Sequence, residues 1–153
     1  MSAQIEQGIP VSLLTAVASK VFETMFFADT KTINVDQRDP ALLWTGVAFS
    51  GADTGEFFIG VSEEVARAFA ADFLGEDNEE LENRSMDSVL CELANVVCGA
   101  TLSAWRPDSL FEILSPSRIE VPEPNMEMVS YLIQGSLVQI GANIRAAYVP
   151  AAS

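Results

Sequence analysis

Apolar residues from Pro10 to Phe27 recur at three- and four-residue spacing: Leu13, Leu14, Val17, Val21 and Phe22, then Met25 and Phe26. That period predicts an amphipathic opening helix. After a polar stretch, Ala41 to Phe49 reads as a strand. In the next segment, Gly55 to Val61, Phe57, Ile59 and Val61 alternate with Glu56, Phe58 and Gly60. The connector Ser50-Gly51-Ala52-Asp53-Thr54 has turn chemistry, so the two strands form a hairpin. Ser62 offers an N-cap to a second helix, with Glu63 and Glu64 complementing its dipole and Gly75 as its stop. Val65, Phe69 and Phe73 make its apolar stripe, beside Ala66, Ala70 and Leu74.

A third helix is predicted from about Met86 to Trp105, ended by Arg106-Pro107. Strands follow at Leu110–Leu114 and Arg118–Val121, with Pro116 between them, and then at Glu127–Gln134 and Leu137–Tyr148. Gly135-Ser136 reads as the two-residue link of a type II′ hairpin. In the last strand Val138, Ile140, Ala142, Ile144, Ala146 and Tyr148 share one face; Gln139, Asn143 and Arg145 share the other. One buried and one polar face is the pattern of an antiparallel sheet covered on a single side. The expected fold is therefore α+β, a two-layer sandwich of a largely antiparallel sheet with helices on one face, built as one domain over residues 1–153. Each half opens with a long apolar helix and runs into strands, a weak internal echo without a clean repeat in residue identity.

Composition narrows the chemistry. The net charge is −14, from 22 acids and 8 bases, and Lys20 and Lys31 are the two lysines. Phosphate backbones are gripped by basic groups, so nucleic acid and anionic membranes are poor partners. Apolar runs are interrupted every few residues, short of the roughly 20 needed to span a bilayer, and Met1–Gln7 lacks the basic and apolar blocks of a secretory signal. The expectation is a cytoplasmic protein with no membrane insertion. The chain contains no histidine, which removes Ser-His-Asp and Cys-His catalysis and the usual zinc sites. Glu76-Asp77-Asn78-Glu79-Glu80 lacks the ligand alternation and central Gly of a calcium loop and reads as a solvated loop. Cys91 and Cys98, about 10 Å apart along a helix, are too distant for a disulfide and read as small apolar residues.

The third helix does not look like pure core. At 100° per residue, Ser85, Ser88, Glu92, Asn95, Gly99, Ser103 and Arg106 fall on one narrow ribbon. Met86, Val89, Leu90, Leu93, Ala94, Val97, Cys98, Ala100, Leu102, Ala104 and Trp105 occupy the rest of the circumference. Exposed helical stripes are usually filled with Lys, Glu, Gln and Arg. Here Glu92 and Asn95 are flanked by Ser88, Gly99 and Ser103, small neighbours that let another surface come close. A mid-helix Gly costs helix stability and wants a reason. Close packing of a neighbouring strand against Gly99 would supply one without any function, and a simply solvated face would account for the ribbon.

The stretch Asp87-Ser88-Val89-Leu90-Cys91-Glu92-Leu93-Ala94-Asn95-Val96-Val97-Cys98-Gly99 resembles the signature helix of the CheC/CheX/FliY chemotaxis phosphatases. That signature is Asp or Ser, three residues, Glu, two residues, Asn, then a proline some way on. Ser88, Glu92 and Asn95 fit its spacing, and Pro116, 21 residues after Asn95, is the counterpart of the proline. The opening helix with Val21-Phe22-Glu23-Thr24-Met25, the Trp44 strand and the Phe57-Phe58-Ile59-Gly60 strand extend the likeness towards the single-motif CheX type. In the first helix, Glu23-Thr24-Met25-Phe26 has Phe where a second motif would have Asn.

The resemblance implies an acyl-phosphate hydrolase acting on a phosphorylated CheY-like response regulator. Asn95 would position the attacking water and Glu92 would pair with the receiver's lysine, as catalytic residues; Ser88, Gly99 and Ser103 would line the partner contact. The receiver would supply the phospho-aspartate and a Mg²⁺ ion, leaving this chain with no cofactor and no metal of its own. CheX-type members are dimers, so a homodimer is implied, and the alternating final strand suits pairing across a sheet edge. The alternative is a receiver-binding module without hydrolysis, related to the flagellar switch proteins that share this fold. A standalone hydrolase of small acyl phosphates lacks the cations to clamp its substrate, since Arg106 stands about three turns from Asn95.

Overall fold

The computed structural model describes residues 9–26, 30–33, 37–51, 53–74, 85–122, 127–133 and 135–145. Its elements run α1 (Val11–Phe26), β1 (Thr30–Ile33), β2 (Leu43–Gly51), β3 (Thr54–Val61), α2 (Glu63–Leu74), α3 (Ser85–Trp105), β4 (Phe111–Ile113), β5 (Ser117–Ile119), β6 (Glu127–Ile133) and β7 (Ser136–Arg145). The strands form one sheet in the order β1-β6-β7-β3-β2-β4, with β5 also on β2, and every pairing is antiparallel. The helices lie on one face of it, so the α+β sandwich read from the sequence is the fold observed.

Local chemistry sets these elements. The carbonyl of Pro10 accepts from the backbone N–H of Leu13 and Leu14 at 3.0 Å, opening α1. The Ser62 hydroxyl caps α2 by accepting from Val65 N–H at 3.1 Å. Arg67 reaches back one turn to Glu63, at 2.7 Å, on the exposed side of the same helix. Gly75, the acidic loop 76–80 and the strand end 146–148 lie outside the described residues. The β6–β7 link falls one residue earlier than expected, because Ile133 pairs with Ser136. Gly135 is therefore the second central residue of the turn, with φ +84°, whereas a type II′ turn requires positive φ at the first.

The halves echo each other in topology. In each, a long helix (α1 or α3) is followed by short edge strands and then by a hairpin, β2–β3 or β6–β7. The hairpins join through β3 and β7, while β1 crosses to β6 and β4 and β5 cross back to β2. Each half thus completes the other's sheet, and α1 and α3 pack side by side over it. Tyr131 on β6 pins α1 by donating its hydroxyl to the Leu14 carbonyl at 3.1 Å. Burial pushes that phenol's pKa up to about 12.

Between helices and sheet lies a continuous core that includes Phe22, Phe57, Phe69, Leu90, Leu93, Val97 and Ile140. The opposite face is less polar than the alternation predicts. Gln139 on that face is fully buried, because the segment 37–39 crosses over it. Its amide accepts from Asp39 N–H at 2.9 Å and donates to the Gln37 carbonyl at 3.0 Å and the Ser130 hydroxyl at 3.2 Å. Trp44 is covered as well, donating its indole N–H to the Asp39 carbonyl at 2.9 Å. Its ring lies flat against Gly60, its cross-strand partner.

A methyl group on Gly60 would stand 2.7 Å from two atoms of the Trp44 ring. Gly60→Ala is therefore expected to destabilise the fold by about 1–3 kcal/mol, read as a lower midpoint in thermal or denaturant unfolding. An unchanged midpoint would contradict the close packing described.

Candidate functional site

The third helix is the candidate site because its burial is one-sided. Val89, Leu90, Leu93, Ala94, Val97, Cys98, Thr101 and Leu102 are all at most 2% exposed. Thr101 is compatible with that environment because its hydroxyl donates to the Val97 carbonyl one turn back, at 2.8 Å. On the other side Ser88 and Ser103 are exposed, and Glu92, Asn95 and Gly99 are half-buried. The structure thus brings together five of the seven residues that the helical period placed on one ribbon. The side chain of Ser85 lies outside the described residues.

One flank of the ribbon is made by β4, β5 and the residues between them. Arg118 on β5 pairs with Asp87 at 2.9 Å. The Cys91 thiol donates to the Pro116 carbonyl at 3.6 Å, so the proline anticipated from the spacing stands beside the residue preceding Glu92. Ile113 is the nearest neighbour of Gly99, 3.7 Å from where a β-carbon would be. That is ordinary contact distance. The alternative reading, close packing of a strand against Gly99, is therefore not observed, and nothing within the described structure requires a glycine there. Leu110, Ile113 and Leu114 leave this flank apolar and exposed, Leu110 by 91%.

The other flank was not legible as a site. Ala104, grouped with the buried circumference by the helical projection, is exposed, and Val96 and Ala100 are half-buried. With Val17, Lys20, Val21 and Thr24 of α1 they line an open groove of about 430 Å³. The signal available in the sequence was the four-residue spacing of Val96, Ala100 and Ala104 opposite Val17, Val21 and Thr24.

Arg106, at the end of the ribbon, is held elsewhere: its guanidinium pairs with Asp53 at 3.1 Å and lies 4.2 Å over the Trp105 ring. Among the described residues no group of three or more carboxylates and thiols is arranged to hold a metal ion. Despite its broken apolar runs, α3 over Met86–Trp105 is long and apolar enough to cross a bilayer by composition, at mean hydropathy 1.3. In this fold its apolar side faces the other helices and the sheet.

Comparison with known proteins places this architecture among the CheX/CheC-like chemotaxis proteins. The family described as Chemotaxis phosphatase CheX matches residues 45–130, more than half of the chain, and the protein belongs to that family. A chain of the CheX–CheY–BeF3–Mg²⁺ complex from Borrelia burgdorferi superposes with a TM-score of 0.68 at 17% identity, covering 90% of this chain and 99% of that one. CheX from Vibrio vulnificus superposes with a TM-score of 0.68 at 19% identity, covering 88% and 98%. The FliM middle domain from Vibrio alginolyticus is more distant, with a TM-score of 0.52 at 11% identity over 88% and 89%. No curated protein matches the chain significantly.

The two cysteines are free thiols in different settings. Burial alone pushes Cys98 up to about 12. Cys91 is raised by partial burial and by the neighbouring Asp87 carboxylate, with Arg118 opposing. Because the thiolate is the reactive form, alkylation of the native protein near pH 8 should spare Cys98 and modify Cys91 slowly. Both should react once the chain is unfolded. Native labelling of Cys98 as fast as Cys91, followed by mass spectrometry, would contradict the burial of that side of α3.

Proposed function

We propose that this chain is a protein aspartyl-phosphate phosphatase that docks the α3 ribbon onto a phosphorylated CheY-like receiver and completes the receiver's active site. The observation that carries the reading is the ribbon itself. Glu92 and Asn95 are presented one turn apart on a helix whose other side is locked in the core, with small residues on either side of them.

The chemistry needs little from this chain. The receiver supplies the phospho-aspartate and its Mg²⁺, which neutralises charge on the phosphoryl oxygens. What is missing is a water held in line with the scissile P–O bond. The Asn95 carboxamide oxygen accepts a hydrogen bond from such a water and fixes its direction, the task a glutamine performs in GTPases. Glu92 pairs with a lysine beside the phosphoryl group and sets the docking register. Water attacks phosphorus, the bond to the aspartyl oxygen breaks, and inorganic phosphate and the free carboxylate leave. No histidine, nucleophile or bound metal of this chain takes part, in keeping with its composition. A cytoplasmic, single-domain protein that forms a homodimer fits this role.

Ser88, Gly99 and Ser103 serve the contact by being small. A mid-helix glycine costs about 1 kcal/mol relative to alanine, and no neighbour within the described structure accounts for Gly99. A partner surface pressed against the helix does. The fold shared with the FliM middle domain also favours a second reading, a module that binds a receiver without hydrolysing its phosphate.

Two substitutions separate these readings. Asn95→Ala should slow dephosphorylation of a phosphorylated receiver on the order of 10²-fold, towards the receiver's own decay, while binding persists. A chain that binds the receiver without accelerating phosphate loss would establish the binding module instead. Gly99→Ala should stabilise the protein by up to about 1 kcal/mol, seen as a higher unfolding midpoint, and yet weaken phosphatase activity. Full activity in Gly99→Ala would remove Gly99 from the contact.

A further inference from the structure

We propose that the apolar groove between α1 and α3 is a second docking element for the same receiver, seating about two turns of a receiver helix while Asn95 addresses the phosphoryl group. The inference rests on the function proposed above and adds a surface to it.

Continuity is the first argument. Val96, Ala100 and Ala104 follow Asn95, Gly99 and Ser103 by one residue each, so the groove wall and the ribbon are adjacent strips of one helix. A body resting on the ribbon meets the groove without a gap. From Val96 to Ala104 the wall runs about 12 Å, the length of a two-turn helical contact.

Area is the second. A specific interface usually needs about 800 Å² from each partner. The ribbon is one helix wide, and its central residues Glu92, Asn95 and Gly99 are already half-buried within this chain. Contact must therefore spread sideways. The α1 flank is concave, at about 430 Å³, and a concave apolar surface accepts the apolar face of an amphipathic helix.

Charge is the third. Among the described residues Lys20 is the one charged residue lining the groove, in a chain whose net charge is −14. It marks the rim where the occupant presents an acidic residue beside its apolar face. An apolar floor with a single basic rim residue selects a helix of that pattern over a uniformly polar one.

The test is the dissociation constant of the full-length chain for a receiver loaded with beryllofluoride and Mg²⁺, a readout independent of hydrolysis. Ala104 is exposed, so substitutions there should leave the fold intact, and unfolding midpoints check this. Ala104→Glu and Ala104→Lys should both raise Kd at least tenfold, because either charge would be desolvated under the receiver helix. The matched control, Ala68→Glu at an exposed alanine of α2, should leave Kd unchanged. If the two charges shift Kd in opposite directions, only the overall field is being read and the groove is not covered. That result overturns the proposal, as does an unchanged Kd for both. A monomer produced by either variant, with Kd intact, would make the groove a contact between copies of this chain and also overturn it. Loss of hydrolysis in Asn95→Ala is scored separately. If that variant keeps full activity, the phosphatase mechanism fails while the Kd series still decides the groove.

Discussion

Everything at the candidate site depends on the burial of one side of α3. Leu93, Ala94, Val97 and Cys98 have no exposed surface at all, and they meet the sheet and the other helices in a single core. Each large apolar side chain so placed stabilises the fold by about 1.5–3 kcal/mol. Rotating the helix about its axis would expose several at once. The arc left over is narrow, and Glu92 and Asn95 stand in it. Their direction is thus set by the core, which is how a rigid element preorganises a site.

The topology supplies the flanks. Because β4 and β5 pair with β2 of the first half, the segment carrying Ile113 and Pro116 is held against one side of α3. Arg118–Asp87 ties it there across the surface. The first half contributes α1 on the other side. The exchange of edge strands between halves therefore frames the ribbon with apolar surface from both halves of the chain.

The long helices were legible because each buries one face and shows the 3.6-residue period that follows. The β2–β3 and β6–β7 hairpins were legible from alternation bounded by turn residues. β1 was not, since Thr30-Lys31-Thr32-Ile33 is four residues of mixed polarity whose strand character comes from pairing with β6. Gln139 was read as solvent-facing because nothing in the sequence reveals that residues 37–39 will cross it. The β6–β7 turn was misplaced by one position, since Gly135 suits either central site until strand register is known. The ribbon was readable from periodicity and its likeness to the CheC/CheX/FliY motif. The groove was not, because it belongs to two helices far apart in the chain, and an exposed Ala104 looks the same in sequence as a buried one. Gly99 gains meaning only in three dimensions, where the packing partner that would explain it is absent among the described residues.

The central claim is that α3 presents Glu92 and Asn95 to another protein. Its most direct test is amide chemical-shift mapping of this chain on addition of a receiver loaded with beryllofluoride and Mg²⁺. The account predicts perturbations concentrated along Ser88 to Ser103, extending to Val17–Thr24 and to Leu110–Leu114, with the outer face of the sheet unchanged. Perturbations centred on Gly46, Phe58 and Ser117, with the α3 ribbon silent, would contradict it.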